Sequence, residues 1–102
     1  KIIKRNYKNK FGEIDIIALK NNIIRFIEVK TRNSNYNSSL EEILHYKQIK
    51  RIKNSALYFI SKSNCHSNQS FSFDLILIKI NIKNKKITHL EHFKDIIYEE
   101  MI

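Results

Sequence analysis

The chain has 102 residues, of which 42% are hydrophobic and 28% are charged, and its formal net charge is +9 at pH 7. This length suits one domain with a real core, and no apolar run is long enough to predict a membrane span. We therefore expect a single soluble, cytoplasmic domain over residues 1–102. The one cysteine, Cys65, excludes an internal disulfide framework and a multi-cysteine zinc site, and it is assigned no role.

The excess of lysine and arginine favours a polyanionic partner, since these side chains bind phosphate and release counterions. Isoleucine, lysine and asparagine nevertheless make up nearly half of the chain. All three have AT-rich codons, so part of the basic charge reflects composition rather than function. The positions of the cations are therefore more informative than their number.

Strands are predicted at both ends of the chain and in one hairpin: residues 1–8, the hairpin 12–32, residues 71–80 and residues 86–90. Gly12, the only glycine, stands where the chain turns into the first arm of the hairpin. Asn21 and Asn22 join two isoleucine-rich arms and indicate a type I′ turn, because asparagine tolerates a positive φ. The strand at 71–80 is the most apolar and should lie in the middle of the sheet.

Helical sequence follows the hairpin. Ser39 and Glu42 have the spacing of a capping box, which satisfies the first free amides of a helix. The apolar stripe then changes phase, so we expect a break near Tyr46 and a longer second helix to about Ser61. A short terminal helix is predicted from Phe93 onward. This order of elements predicts an α/β fold, a mixed sheet of about five strands flanked by helices.

The hairpin gathers charged side chains. With the two asparagines as the turn, paired residues have numbers that sum to 43, so Asp15 lies opposite Glu28 and Glu13 opposite Lys30. Alternation along the strands places these four side chains on one face and Ile14 on the opposite, largely apolar face. Like charges placed directly opposite each other are destabilising, so we expect a cation between the two acids.

These charges suit either a solvated surface or a metal site. The same face continues into apolar residues, and an unpaired carboxylate is costly to bury, so we favour the metal site. Asp15 and Glu28 offer the oxygen ligands that Mg²⁺ and Mn²⁺ prefer. Glu13 is either a further ligand or the salt-bridge partner of Lys30. A bound ion would activate water for attack on phosphorus, and Lys30 would orient that water or neutralise charge on the phosphate.

An acid followed about a dozen residues later by Glu-x-Lys on an adjacent strand resembles the PD-(D/E)XK nuclease superfamily, which has a restriction-endonuclease-like fold. Longer strings resemble the uncharacterised YraN family, related to archaeal Holliday-junction resolvases: Arg5-Asn6-Tyr7, Phe11-Gly12-Glu13-Ile14-Asp15, Glu28-Val29-Lys30-Thr31-Arg32, Lys47-Gln48 and Phe73-Asp74. The resemblance runs from Ile2 to about Phe93. It implies that Asp15 and Glu28 are metal ligands and that Lys30 is the catalytic lysine.

The resemblance implies further features of the site. Gln48 matches a helix glutamine that some relatives place beside the metal. Family members usually have a helix with another glutamate before the first strand, and we expect this domain to lack that helix. The resolvase kinship implies a DNA partner, in particular branched DNA, and a homodimer would suit that activity.

Six cations are the expected phosphate contacts: Lys4, Arg5, Arg32, Lys47, Lys50 and Arg51. Those on the second helix fit an ordinary solvated face equally well. Two other functions also fit the sequence: a non-catalytic nucleic-acid-binding module with the same fold, and an interaction protein whose acidic cluster is structural. The four histidines are scattered and are expected to be structural. A single glycine excludes a glycine-rich phosphate loop.

Overall fold

The computed structural model describes residues 1–37, 39–63 and 69–97. These residues contain five strands and two helices: β1 (Ile2–Asn9), β2 (Gly12–Lys20), β3 (Ile23–Asn33), α1 (Leu40–Ile43), α2 (Tyr46–Lys62), β4 (Ser70–Asn81) and β5 (Lys86–Phe93). The strands form one sheet in the order β1-β2-β3-β4-β5. β3 and β4 are parallel, whereas the other neighbouring strands are antiparallel. The predicted α/β fold with a mixed five-stranded sheet is confirmed, and it is consistent with a restriction-endonuclease-like fold.

The hairpin between β2 and β3 has the predicted turn. Asn21 and Asn22 have φ values of 52° and 62°. The strands pair from Lys20–Ile23 to Ile16–Ile27, and each pair sums to 43. The register predicted from the sequence is therefore confirmed over this part of the hairpin.

The predicted capping box and helix break are also present. The Glu42 N–H donates to Ser39 Oγ at 3.3 Å, and the Glu42 carboxylate accepts the Ser39 hydroxyl at 3.1 Å. α1 then ends at Ile43, and α2 begins at Tyr46. These bonds satisfy a free donor in the first turn of α1 and mark where the helix begins.

Both helices cover the same face of the sheet. On α2, the Phe59 ring lies 6.0 Å from Phe26 of β3, which stacks on Phe73 of β4 at 5.6 Å. On α1, Ile43 packs in a buried cluster with Leu75 of β4. Phe73 and Leu75 are two positions apart on one strand and so point to the same side. The longer helix covers one face, as predicted.

Strict alternation predicted that Ile14 lies on the face of the sheet opposite Asp15 and Glu28. That prediction is wrong. Ile14 is only 2% exposed and packs in the same cluster as Ile17. Residues three apart on a regular strand point to opposite faces. The register of β1 with β2 is continuous across this stretch, and its one shift lies between Ile2 and Lys4. β2 therefore departs from regular alternation between Ile14 and Ile17, where its pairing with β3 ends at Ile16.

A buried acid in β4 joins several parts of the sheet. Asp74 is 1% exposed, and its Oδ2 lies 3.0 Å from Arg25 Nη1 and 2.7 Å from His92 Nε2. It also accepts the Ser72 hydroxyl and the Asp95 N–H. Burial alone would raise the pKa of Asp74, but the hydrogen bonds outweigh burial and hold the pKa below 3.8. Asp74 therefore ties β3, β5 and the segment after β5 to β4.

The predicted terminal helix does not begin at Phe93. That residue ends β5, and residues 94–97 are not helical. The Ile96 N–H donates to the Phe73 carbonyl at 2.8 Å, which keeps this segment alongside β4 instead. Some predictions concern positions outside the described residues: Cys65, His66 and the later part of that helix, residues 98–102. No described helix combines the length and hydropathy needed to cross a membrane.

Candidate functional site

The paired part of the hairpin ends one step before Asp15 and Glu28. The last pair is Ile16–Ile27, and beyond it Asp15 Oδ2 accepts the Val29 N–H at 2.8 Å. The carboxylate thus takes a backbone donor that the neighbouring strand leaves unpaired at this point. This bond fixes the orientation of Asp15 at the place where the two strands separate.

Glu28 lies beside Asp15 and is held from α2. Gln48 Nε2 donates to Glu28 Oε2 at 3.2 Å. Burial raises the pKa of Glu28 from 4.5 to about 7, helped by hydrogen bonding to Asp15 and by its charge. The charge of Lys30 and the bond from Gln48 act in the opposite direction and offset only part of this rise. A cation bound between two such acids would relieve their repulsion.

The two acids line an open cavity of about 240 Å³ between the hairpin and α2. Its walls are formed by Gly12, Glu13, Asp15, Glu28, Gln48, Arg51 and Ile52. The structure therefore brings together the two predicted metal ligands, the predicted helix glutamine and Glu13. An adjoining groove of about 330 Å³ is lined by Lys47, Lys50, Arg51 and Asn54. Arg51 belongs to both, so the acidic cavity opens beside a basic surface.

The donor set fits a divalent ion that has few protein ligands. Among the residues that the structure describes, no three acid, histidine or cysteine side chains converge, so Glu13 does not complete a three-ligand cluster. Mg²⁺ commonly takes one or two carboxylates and keeps several waters. Asp15 and Glu28 are suited to hold such an ion, each through the oxygen that Val29 or Gln48 does not engage.

Lys30 lies two positions after Glu28 on β3 and is half-buried. The described residues contain ion pairs only at Asp74, so the alternative salt bridge between Glu13 and Lys30 is not formed. The ammonium group is nevertheless close enough to lower the pKa of Glu28 in part. Lys30 therefore lies near Asp15 and Glu28 but forms no salt bridge with either.

The other three predicted phosphate contacts lie apart from the cavity. Lys4 and Arg5 are exposed on β1, an edge strand of the sheet. Arg32 lies near the end of β3, where its guanidinium donates to the Thr31 carbonyl at 2.9 Å and stands 5.4 Å from the Tyr36 ring. The α2 cations are thus the ones that adjoin the acid pair.

Sequence reasoning missed the part that Gly12 plays in the cavity wall. A Cβ atom at Gly12 would lie 3.4 Å from Ser55 Oγ and 3.5 Å from Arg51 Cβ, and its φ of +150° is strained for any other residue. The backbone conformation therefore favours glycine here, at the point where the hairpin contacts Arg51 and Ser55 of α2. The sequence offered one indication of this role, because the only glycine stands between a basic strand and an acidic strand.

Without a divalent ion, the stability of the protein should depend on the ionisation of Glu28. Its folded pKa of about 7 exceeds the ordinary 4.5, so the unfolded chain ionises first as pH rises. Stability from this group is complete below pH 4.5 and is lost as pH rises through about 7. In EDTA, the melting temperature of the wild type should therefore fall relative to that of Glu28→Gln as pH rises from 4.5 to about 7, because the glutamine cannot ionise. A difference that stays constant with pH would contradict this expectation.

Comparison with known proteins identifies relatives but no activity. Residues 1–78 match the model of "Uncharacterised protein family UPF0102". A UPF0102 protein of Sulfurihydrogenibium sp. (strain YO3AOP1) is 41% identical over 92 residues, which cover 90% of this chain and 76% of the relative. One from Clostridium botulinum (strain Hall) is 48% identical over 84 residues, covering 81% and 68%. One from Alkaliphilus oremlandii is 37% identical over 93 residues, covering 90% and 80%.

Proposed function

This chain belongs to the uncharacterised family UPF0102, the YraN family that its motifs resemble, and we infer its activity from the geometry of the site. We propose that it is a cytoplasmic, Mg²⁺- or Mn²⁺-dependent DNA endonuclease of the PD-(D/E)XK superfamily. The observation that carries this proposal is the Asp15–Glu28 pair in a cavity beside a basic groove. Carboxylates bind the ion and cations bind the phosphates, as phosphodiester hydrolysis requires.

In this proposal, Asp15 and Glu28 hold the ion. The Val29 N–H and the Gln48 amide each engage one carboxylate oxygen, which leaves the second oxygen of each acid to bind an ion. A bound Mg²⁺ supplies a polarised phosphoryl oxygen and a water of lowered pKa. The positions of both acids are set by the backbone and by α2 before any ligand arrives, which reduces the cost of organising the site.

The cations act on the phosphate. Lys30, beside Glu28 on β3, stabilises the charge that develops on the phosphoryl group or orients the attacking water. Arg51 reaches the cavity from α2, and a guanidinium can contact a phosphate with two parallel hydrogen bonds. Lys47 and Lys50 line the adjoining groove, where they would contact the next phosphates of the same strand.

Branched DNA is the proposed substrate, and its only support is the resemblance to resolvases. A homodimer belongs to the same proposal, because a two-fold axis would match a branched junction. The alternative function is a nucleic-acid-binding module that does not cleave. The basic groove favours this alternative as much as it favours the nuclease, since it would bind phosphates without any ion.

A cleavage assay separates these functions. The wild-type protein should cut branched, duplex or single-stranded DNA with Mg²⁺ or Mn²⁺ and lose this activity in EDTA. Lys30→Ala should lower the rate on the order of 100- to 1000-fold, because it removes a charge that acts on the transition state. Lys20→Ala, at the exposed far end of the same hairpin, is the matched control and should cut normally.

Two results would decide against the nuclease. Equal cleavage by the wild type and Lys30→Ala would indicate that the activity does not come from this site. Binding of DNA by the wild type without cleavage under any of these conditions would favour the non-catalytic module.

A further inference from the structure

Two aromatic rings and two lysines lie close together beside the part of the cavity wall that Gly12 forms. Phe11, in the turn between β1 and β2, lies 5.8 Å from Tyr58 of α2. Lys10 Nζ stands 5.3 Å from the Phe11 ring centroid and 5.8 Å from that of Tyr58. Lys62 Nζ stands 5.6 Å from the Tyr58 centroid. We call Lys10, Phe11, Tyr58 and Lys62 the aromatic patch.

The patch is held rigidly on α2. Asn9 Oδ1 accepts the Phe11 N–H at 2.8 Å and the hydroxyl of Ser55 at 3.1 Å. Asn9 Nδ2 donates to the Ser55 carbonyl at 3.3 Å, and Ser55 is fully buried. The turn that carries Phe11 is therefore fixed by a buried polar clamp, although the Phe11 side chain itself remains 40% exposed. Rigid, exposed aromatic rings make low-cost binding surfaces.

The patch is continuous with the cavity. Gly12 lines the cavity and directly follows Phe11 in the chain. Along α2, Arg51, Tyr58 and Lys62 are seven and eleven residues apart, so they lie on one side of the helix. Arg51 also lines the cavity, and seven residues of helix span about 10 Å. This length corresponds to about three stacked nucleotides.

Packing of the turn on the helix explains the ring contact. Lys10 precedes Phe11 and Lys62 lies one helical turn after Tyr58, so the same packing brings both lysines to the rings. The packing nevertheless leaves Phe11 40% exposed beside two cations. Aromatic rings flanked by cations are typical of surfaces that bind single-stranded nucleic acid, where a base stacks and phosphates pair with lysines.

We propose that the aromatic patch is a nucleobase-stacking site for an unpaired nucleotide about three steps from the phosphate held in the cavity. This inference rests on the proposed function and narrows its substrate. DNA with a single-stranded segment next to the cut, such as a flap or an opened branch, can place a base on Phe11. A base inside a continuous duplex cannot, because its faces are already stacked.

The test compares two fluorescent oligonucleotides of equal length and charge, one with normal bases and one abasic throughout. Binding is measured by fluorescence anisotropy with the full chain in EDTA, so that nothing is cut. The wild type should bind the base-bearing strand about tenfold more tightly than the abasic strand. Phe11→Leu and, separately, Tyr58→Leu should remove most of that preference and leave the affinity for the abasic strand unchanged.

Phe71→Leu is the matched control. Phe71 has nearly the same exposure as Phe11, 39%, but in the described part of the chain no lysine or arginine lies over its ring. It should keep the tenfold preference. Equal binding of both strands by the wild type, or an unchanged preference in both patch variants, would overturn the stacking site while DNA binding stands. Failure to bind either strand would overturn DNA binding itself, and the stacking site with it.

Discussion

Asp15→Asn is expected to lower the rate of Mg²⁺-dependent DNA cleavage on the order of 1000-fold while leaving the fold intact. Asparagine keeps a side-chain oxygen that can accept the Val29 N–H, the bond that Asp15 makes at 2.8 Å. It lacks the negative charge that a divalent ion needs. Initial cleavage rates and melting curves of the same preparations measure both parts of this expectation.

Metal binding provides a second readout of Asp15→Asn. An ion present at 100 times its dissociation constant stabilises the wild-type fold by about 2.7 kcal/mol, and the variant should gain far less. Glu91→Gln, an exposed acid on β5, is the control that should keep both cleavage and stabilisation. Wild-type cleavage by Asp15→Asn would remove this residue from the site, and an unchanged melting temperature of the wild type with Mg²⁺ would favour a purely structural acid pair.

Asp74→Ala is expected to destabilise the protein by about 3–5 kcal/mol, the usual cost of breaking a buried ion pair from one side. The substitution leaves Arg25, whose side chain is only 18% exposed, without its carboxylate, and it removes the acceptor of the Asp95 N–H. For a domain of this size the melting temperature should fall by roughly 15–30 °C.

The matched control for Asp74→Ala is Glu91→Ala on the adjacent strand. Exposed substitutions of this kind usually change stability by less than about 0.5 kcal/mol. Because the pKa of Asp74 is held below 3.8, its contribution is present at neutral pH and is lost only in acid. The loss in Asp74→Ala should therefore be present at neutral pH and shrink as pH falls through the folded pKa of Asp74. Equal melting temperatures of the two variants would show that the Asp74 bonds contribute little.

The hairpin could be predicted from the sequence because its determinants are local. Two asparagines set the turn, and the turn sets the register that leads to Asp15 and Glu28. The prediction for Ile14 was wrong, because β2 departs from regular alternation between Ile14 and Ile17. A pattern read along one strand has no access to such an irregularity.

The Asp74 cluster was missed for a related reason. It joins Arg25, Asp74 and His92, which are far apart in the chain and meet only when β3, β4 and β5 are paired. One signal was available, because Arg25 was the single charge on an apolar face and a buried cation needs a partner. In the same way, the approach of Arg51 to the acids requires α2 to dock against Gly12.

The parallel pairing of β3 with β4 has a consequence for how the protein folds. Eleven register pairs join these strands, from Ile23–Ser70 to Asn33–Ile80, yet the chain must complete a long crossover before the first of them can form. Such non-local pairing forms slowly, because the chain loses the entropy of loop closure before the contacts between the strands can stabilise it. Glu28 and Lys30 lie on β3, and Gln48 lies in α2, which is part of the crossover between β3 and β4. A nascent chain with only its hairpin formed therefore lacks the α2 wall of the cavity, and the complete site assembles only with the finished sheet.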